Sequence, residues 1–197
     1  MNVTIGLTRH FETDWNAAKR LQGRTDRPLT ATARARAAAL RPPPEWAGAR
    51  LIATPLARSE ETAKLLTGAA PEIEPALIEL SWGVWEGRRG ADLLADASSG
   101  YAHVETWGWG KCPPGGESPE DAWARIAPAL ARIAAANQPA LMVLHRGVMR
   151  VILAKAWGWN FDRVEPFRIK RERIYPVTLD EAGVPVAHGP EARLIAR

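Results

Sequence analysis

Two short apolar runs, each ending in paired histidine and arginine, constrain this chain more than any other feature. Val3, Ile5 and Leu7 alternate with smaller residues and lead into Arg9-His10, and Ala140-Leu141-Met142-Val143-Leu144 leads into His145-Arg146. Apolar runs of this length, stopped by polar residues, read as buried strands. In open α/β sheets, ligands sit beyond the C-terminal ends of the strands. In a parallel sheet both pairs emerge on one edge, so imidazoles far apart in sequence can face one pocket. An arginine beside a histidine at such an edge suits a phosphate group. The guanidinium offers a planar fork of donors that matches phosphate oxygens, and a neutral imidazole keeps one lone pair that can attack phosphorus.

The rest of the chain supplies helices between strands. Residues 30–41 are alanine-rich, capped by Thr30 and stopped by Pro42-Pro43-Pro44, the composition and punctuation of a helix. Leu51-Ile52-Ala53 is a short strand ending at Thr54-Pro55, and a helix follows from Arg58 to Leu66. Ser118, Pro119 and Asp121 open a helix that runs to about Asn137, with proline at its first position. Val148 to Trp157 is a helix ended by Gly158, Phe167 to Val177 alternates as an edge or late strand would, and Leu194-Ile195-Ala196 is a last short strand. Repeated strand–helix units predict a three-layer α/β/α sandwich with a mostly parallel central sheet. One domain is expected over 1–197, with an irregular, tryptophan-rich loop or lid region at about 80–117. Its aromatic residues serve either as a packed subcore or as an apolar wall around a substrate.

Composition closes several doors. No apolar run approaches the roughly 18 residues a membrane span needs, and the N-terminus enters a strand pattern without the form of a signal peptide. Cys112 is the only cysteine, so no internal disulfide forms and a cytoplasmic, reducing setting is expected. The formal charge of +4 favours anionic ligands. Arg168, Lys170, Arg171 and Arg173 alternate with Phe167 and Ile169 and read as the wet side of a strand, not a nucleic-acid surface. His10-Phe11-Glu12 lacks the cysteine pair of a zinc deaminase, and no Walker loop or G-x-G-x-x-G occurs.

Thr8-Arg9-His10-Phe11-Glu12-Thr13, followed by Asn16 and by Leu21-Gln22-Gly23, resembles the opening of the histidine phosphatases, the phosphoglycerate-mutase-like family, whose pattern there is Arg-His-Gly-Glu-Thr. Thr54-Pro55-Leu56-Ala57-Arg58 resembles that family's Ser-Pro-Leu-x-Arg. Leu77-Ile78-Glu79 through Trp85-Glu86-Gly87 resembles its Leu-Arg-Glu and Gly-x-Trp-Glu-Gly, and Leu144-His145-Arg146-Gly147-Val148 its Ser-His-Gly-Gly-Val. The resemblance implies a phosphohistidine on His10, with Arg9 and Arg58 gripping the phosphoryl oxygens. It makes His145 a second donor to those oxygens and Glu79 the proton donor to the leaving group, in an apolar, tryptophan-rich setting. Glu86, in the same loop, competes for that role. Asn16, Gln22 and Gly23 match phosphate-contacting positions. No metal or other cofactor is implied, and the expected partner is a small phosphorylated metabolite, with neither nucleic acid nor membrane involved.

Two departures touch substrate range. Phe11 replaces the glycine after the first histidine, and it either narrows the pocket or packs inward. Arg146 replaces a glycine after the second, and it either holds a second anionic group of the substrate or points to solvent. The expected activity is phosphomonoester hydrolysis; a phosphoglycerate-type mutase and a catalytically weak phospho-ligand binding module are the alternatives.

Overall fold

The computed structural model describes residues 1–197. The elements run β1 (Val3–Arg9), α1 (Asp14–Ala17), α2 (Ala31–Ala38), β2 (Leu40–Arg41), β3 (Arg50–Ala53), α3 (Ala57–Thr67), β4 (Glu72–Ile73) and α4 (Gly90–Ala95). They continue with α5 (Pro119–Ala135), β5 (Ala140–Leu144), α6 (Arg146–Trp157), β6 (Arg173–Leu179), β7 (Pro185–His188), β8 (Ala192–Arg193) and β9 (Ile195–Ala196). The main sheet has the order β4-β3-β5-β1-β6-β7, with β8 also paired to β6. Four strands, β4, β3, β5 and β1, run parallel, and β6 joins β1 antiparallel. β2 and β9 form a separate two-stranded pair.

Strand periodicity divides the interior into two layers of packing. Ala140, Met142 and Leu144 of β5 meet Ile5 and Leu7 of β1 in a core covered by α5 and α6. Leu141 points the other way, into a second cluster with Ala33 and Ala37 of α2 and Leu66 of α3. Helices thus cover both faces, as the alternation of a central strand requires. α5 buries Ala122, Ile126, Ala129, Leu130 and Ile133, one apolar stripe at helical spacing. Its start is a capping box between Ser118 and Asp121, which satisfies amides the first turn leaves free. Thr30 caps α2 in the same way, accepting from the Ala33 amide.

Register fixes the site. Arg9 lies opposite Leu144, and the His10 amide donates to the Leu144 carbonyl at 2.9 Å. The two histidines therefore leave neighbouring parallel strands at one level.

Two expectations need correction. The alanine-rich helix does not reach residue 41: it ends at Ala38, and Leu40–Arg41 pair with Ile195–Ala196 as a strand. The run from Phe167 is not strand until Arg173, and β6, which extends to Leu179, lies inside the sheet next to β1, with β7 outside it. Glu172 has a left-handed backbone, φ 61°, which breaks an extended run before Arg173. Phe167 and Ile169 are buried, and Tyr175 pins this segment, accepting from the Lys170 amide (2.8 Å) and donating to the Arg168 carbonyl (2.7 Å). The alternation there reports loop packing. The tryptophan-rich segment serves both uses weighed for it. Trp85 and Trp107 join the core, their indole N–H groups donating to the Ser99 and Ala102 carbonyls. Trp82 packs edge-on against Trp107 at 5.4 Å and faces the cavity described below. No helix is long and apolar enough to cross a membrane.

Candidate active site

His10 and His145 sit side by side, ring centroids 5.2 Å apart and planes tilted by 52°. His10 Nδ1 lies 2.6 Å from the Phe11 carbonyl oxygen. A carbonyl only accepts, so Nδ1 carries the ring proton and Nε2 keeps its lone pair. Burial, then the positive charges of Arg9 and Arg58, hold the His10 pKa well below the usual 6.5, so the ring is a neutral nucleophile at ordinary pH. His145 is fully buried, and its pKa is also held well below 6.5, by burial and then by Arg58, His10 and Arg9. Its Nε2 lies 2.8 Å from the Thr54 hydroxyl, which accepts from the Leu56 amide. With no other acceptor in reach of the Thr54 hydroxyl proton, we assign that proton to the Nε2 lone pair and the His145 ring proton to Nδ1. That Nδ1 is buried without a partner. His10 lines the cavity wall; His145 lies beside it without doing so.

The guanidiniums differ in what they hold. Arg58 is buried and grips the 22–26 loop through the Gly23 carbonyl (2.6 Å), the Thr25 carbonyl (2.9 Å) and Asp26 (3.4 Å). Gln22 satisfies both neighbours with its amide oxygen toward Arg58 and its nitrogen toward Thr13, so its side chain positions Arg58. Gly23 has φ +55°, and a Cβ there would lie 2.0 Å from Glu86 Oε1, so only glycine fits. Asn16 closes the capping box of α1 and accepts from Arg171 at 2.8 Å. Arg9 hydrogen-bonds nothing in the protein, and its Nε is buried without a partner. Burial, then the charges of Arg171 and Arg146, lower its pKa to about 9. It still carries its charge at neutral pH, unmatched and open to an anion.

The two competing glutamates separate cleanly. Glu86 accepts from the amides of Arg24, Thr25 and Trp82 and from the Thr25 hydroxyl. It ties two loops together and does not line the cavity. Glu79 does line it. Its setting is polar rather than the apolar one expected, because its carboxylate accepts from the amides of Leu80 (2.9 Å), Val148 (3.0 Å) and Gly147 (3.1 Å). The last two belong to the first turn of α6, whose unpaired N–H groups favour an anion there. Gly147 is required by this approach, since a Cβ would fall 2.5 Å from Glu79 Oε1.

These side chains open onto a cavity of about 530 Å³ that also takes in Gly23, Asn16 and Gln22. Tyr101, His103, Val104 and Glu105 of the 80–117 segment form part of its wall. Phe11 packs inward with Leu29, Ala33 and Trp46 and leaves the cavity free. Arg146 lines the cavity and pairs with Glu165 at 3.1 Å. Sequence reasoning missed Arg150, Arg171, Lys19 and Arg20, all of which line it. Arg150 had a signal, four residues after Arg146 on one helix face. Arg171 had none, because its alternating context mimicked a solvated strand.

An α/β sandwich with paired histidines and an arginine-rich cavity at the C-terminal edge of its parallel strands is a frame for handling phosphoryl groups. A model of the histidine phosphatase superfamily, branch 1, matches residues 5–188, and the chain belongs to that superfamily. Among curated relatives, it is 35% identical over 135 residues to the probable phosphoglycerate mutase GpmB of Enterobacter sp. (strain 638), covering 66% of this chain and 62% of that protein. It is 30% identical over 168 residues to the glucosyl-3-phosphoglycerate phosphatase of Mycobacterium tuberculosis (strain H37Rv), covering 75% and 72%. The chain thus spans about three fifths of the length of the mutase relative. The crystal structure of phosphoglycerate mutase from Thermus thermophilus superimposes with TM-score 0.71 at 29% identity, over 99% of this chain and 100% of that one. The mycobacterial glucosyl-3-phosphoglycerate phosphatase structure does so with TM-score 0.75 at 24% identity, over 100% and 98%, a likeness of fold.

Proposed function

We propose that this chain is a metal-independent phosphatase that hydrolyses a small phosphorylated metabolite through a phosphohistidine on His10. The observation that carries the reading is the state of His10: neutral, its Nδ1 proton held by the Phe11 carbonyl, its free Nε2 in a cavity with an unmatched Arg9. Nε2 attacks phosphorus and the P–O bond to the leaving group breaks. Glu79, which takes a proton from the monoanionic phosphoryl group as the substrate binds, gives it to that oxygen, so the leaving group departs as an alcohol. Water then attacks the phosphohistidine, Glu79 takes up its proton, and inorganic phosphate leaves with His10 restored. Arg9 and Arg58 bind the non-bridging oxygens, where transition-state charge is spread, and the His145 Nδ1 proton adds a donor. Asn16 and Gln22 position the arginines, and Gly23 lends its carbonyl to Arg58. The cavity of about 530 Å³ suits a small molecule.

The mutase reading is favoured by the names of several relatives. In it the phosphoryl group returns to substrate instead of passing to water. An assay with 3-phosphoglycerate and with simple phosphomonoesters, scoring isomerised product against free phosphate, separates the two. Free phosphate that disappears in His10→Ala supports the hydrolase; isomer without free phosphate overturns it. Tight binding of phosphate esters with neither product would instead mark a binding module.

A further inference from the structure

We propose that the cavity contains a second anion subsite formed by Arg146, Arg150 and Arg171, so that the substrate is a phosphomonoester bearing another acidic group, a carboxylate or a second phosphate. The inference rests on the phosphatase reading above and narrows its substrate class.

Arg146 and Arg150 lie four apart on α6, on one helix face. Both lean on a single carboxylate, Glu165: Arg146 Nη2 at 3.1 Å and Arg150 Nε at 2.6 Å. The Arg150 side chain is only 10% exposed, yet its terminal nitrogens hydrogen-bond nothing in the protein while it lines the cavity. Arg171 donates one Nη to Asn16, its Nε is buried without a partner, and its nearest carboxylate, Glu12, is 3.6 Å away. Glu105 also lines the cavity but bonds none of the three. These guanidiniums crowd one another: after burial, Arg146 is the largest influence lowering the Arg150 pKa, and Arg171 and Arg146 act together on Arg9.

Arg171 Nε is a buried donor without an acceptor, a costly state, while the Arg150 terminal nitrogens reach only the cavity. A phosphoryl group presents three non-bridging oxygens, and Arg9, Arg58 and His145 converge on those in the reaction proposed above. Beyond the contacts to Glu165, Asn16 and Glu12, the remaining donors of Arg146, Arg150 and Arg171 have no protein acceptor, and planar forks of this kind match a carboxylate or a phosphate. A neutral alcohol or sugar as the leaving part would leave them unmatched.

The test compares plain alkyl phosphates with ω-carboxyalkyl phosphates and alkanediol bisphosphates of the same chain lengths, from two to six carbons. kcat/KM is measured for the wild type, Arg146→Ala and Arg150→Gln, and dissociation constants are measured on His10→Ala, which binds without turnover. At the best-fitting length the acidic compounds are expected to exceed the plain ones about tenfold or more, the scale of one charge-assisted pair. That advantage, read as the ratio of acidic to plain compound within each protein, should collapse toward one in Arg146→Ala. A preference for bisphosphates assigns a second phosphate, a preference for carboxyalkyl phosphates a carboxylate. Equal rates and affinities at every length overturn the proposal, as does an advantage that survives undiminished in Arg146→Ala. Arg146 is 44% exposed on its side chain, so that variant folds even where Arg150→Gln does not. If the wild type releases no phosphate from any compound, the phosphatase reading has failed, and the dissociation constants still decide the subsite.

Discussion

Replacing Gly147 by alanine tests the tie between α6 and Glu79. The new Cβ would sit 2.5 Å from Glu79 Oε1 and 3.2 Å from its Cδ, closer than atoms pack, so the carboxylate must swing away. It then gives up the Gly147 and Val148 amides at 3.1 and 3.0 Å and keeps at most the Leu80 amide. Two hydrogen bonds to a charged group are worth about 1.5–3 kcal/mol each. Part returns as the carboxylate reaches water in the cavity, and alanine in a helix returns up to about 1 kcal/mol over glycine. The net loss of stability is expected at about 1–3 kcal/mol, leaving the protein folded at 25 °C. Activity should suffer more, because misplacing a general acid costs about 10²–10⁴ in rate. The loss should follow the leaving group: large for an alkyl phosphate, small for p-nitrophenyl phosphate, whose phenolate leaves without a proton. kcat on both substrates, with a thermal melt of each protein, reads this directly. Full activity on the alkyl ester, or equal losses on both, would refute the reasoning.

Glu86→Ala removes the acceptor of four donors, and since Glu86 does not line the cavity, it should cost about 2–4 kcal/mol in denaturant while leaving the leaving-group dependence of the remaining activity unchanged; a steeper dependence would make Glu86 the acid. His10 and His145 both have folded pKa values below 6.5, so below that pH the unfolded chain takes up protons the folded chain refuses. Their contribution to stability is intact above about pH 6.5 and declines below it, by up to about 1.4 kcal/mol per pH unit for each ring, and urea titrations at pH 7.5 and 5.5 should separate accordingly; identical midpoints would contradict the burial of neutral rings. Arg9→Met removes a charge without a protein partner, so the ligand-free protein should melt no lower than wild type while losing the rise in Tm that saturating phosphate produces, about 2.7 kcal/mol at a hundredfold excess over Kd; a retained rise would place the phosphate elsewhere.

The sheet and its two histidines were legible because strand ends and apolar continuity are local signals, and β1 and β5 carry both within a few residues. The same locality explains why the starts of α2 and α5 were legible, since their caps, Thr30 and Ser118, are written into the sequence; the end of α2 was not, because Leu40–Arg41 leave the helix to pair with the distant Ile195–Ala196. What stayed hidden depends on approach between distant segments. Glu79 and Glu86 look alike in one loop; only the fold sends Glu79 to the start of α6 and Glu86 to the 24–25 amides. Arg171 looked solvated because its alternation matched a strand, whereas Glu172 and the Tyr175 clasp turn that segment toward the cavity. Phe11 was ambiguous until its neighbours in the second core were known.

The most direct measurement of the central claim is to mix the protein with a labile phosphoryl donor, quench within milliseconds, and map the bound phosphate. Acid-labile, base-stable phosphate on His10, formed fast enough to account for turnover and absent from His10→Ala, is the predicted result. Steady phosphate release with no such species at any quench time, or with the label on His145 or another residue, would contradict it.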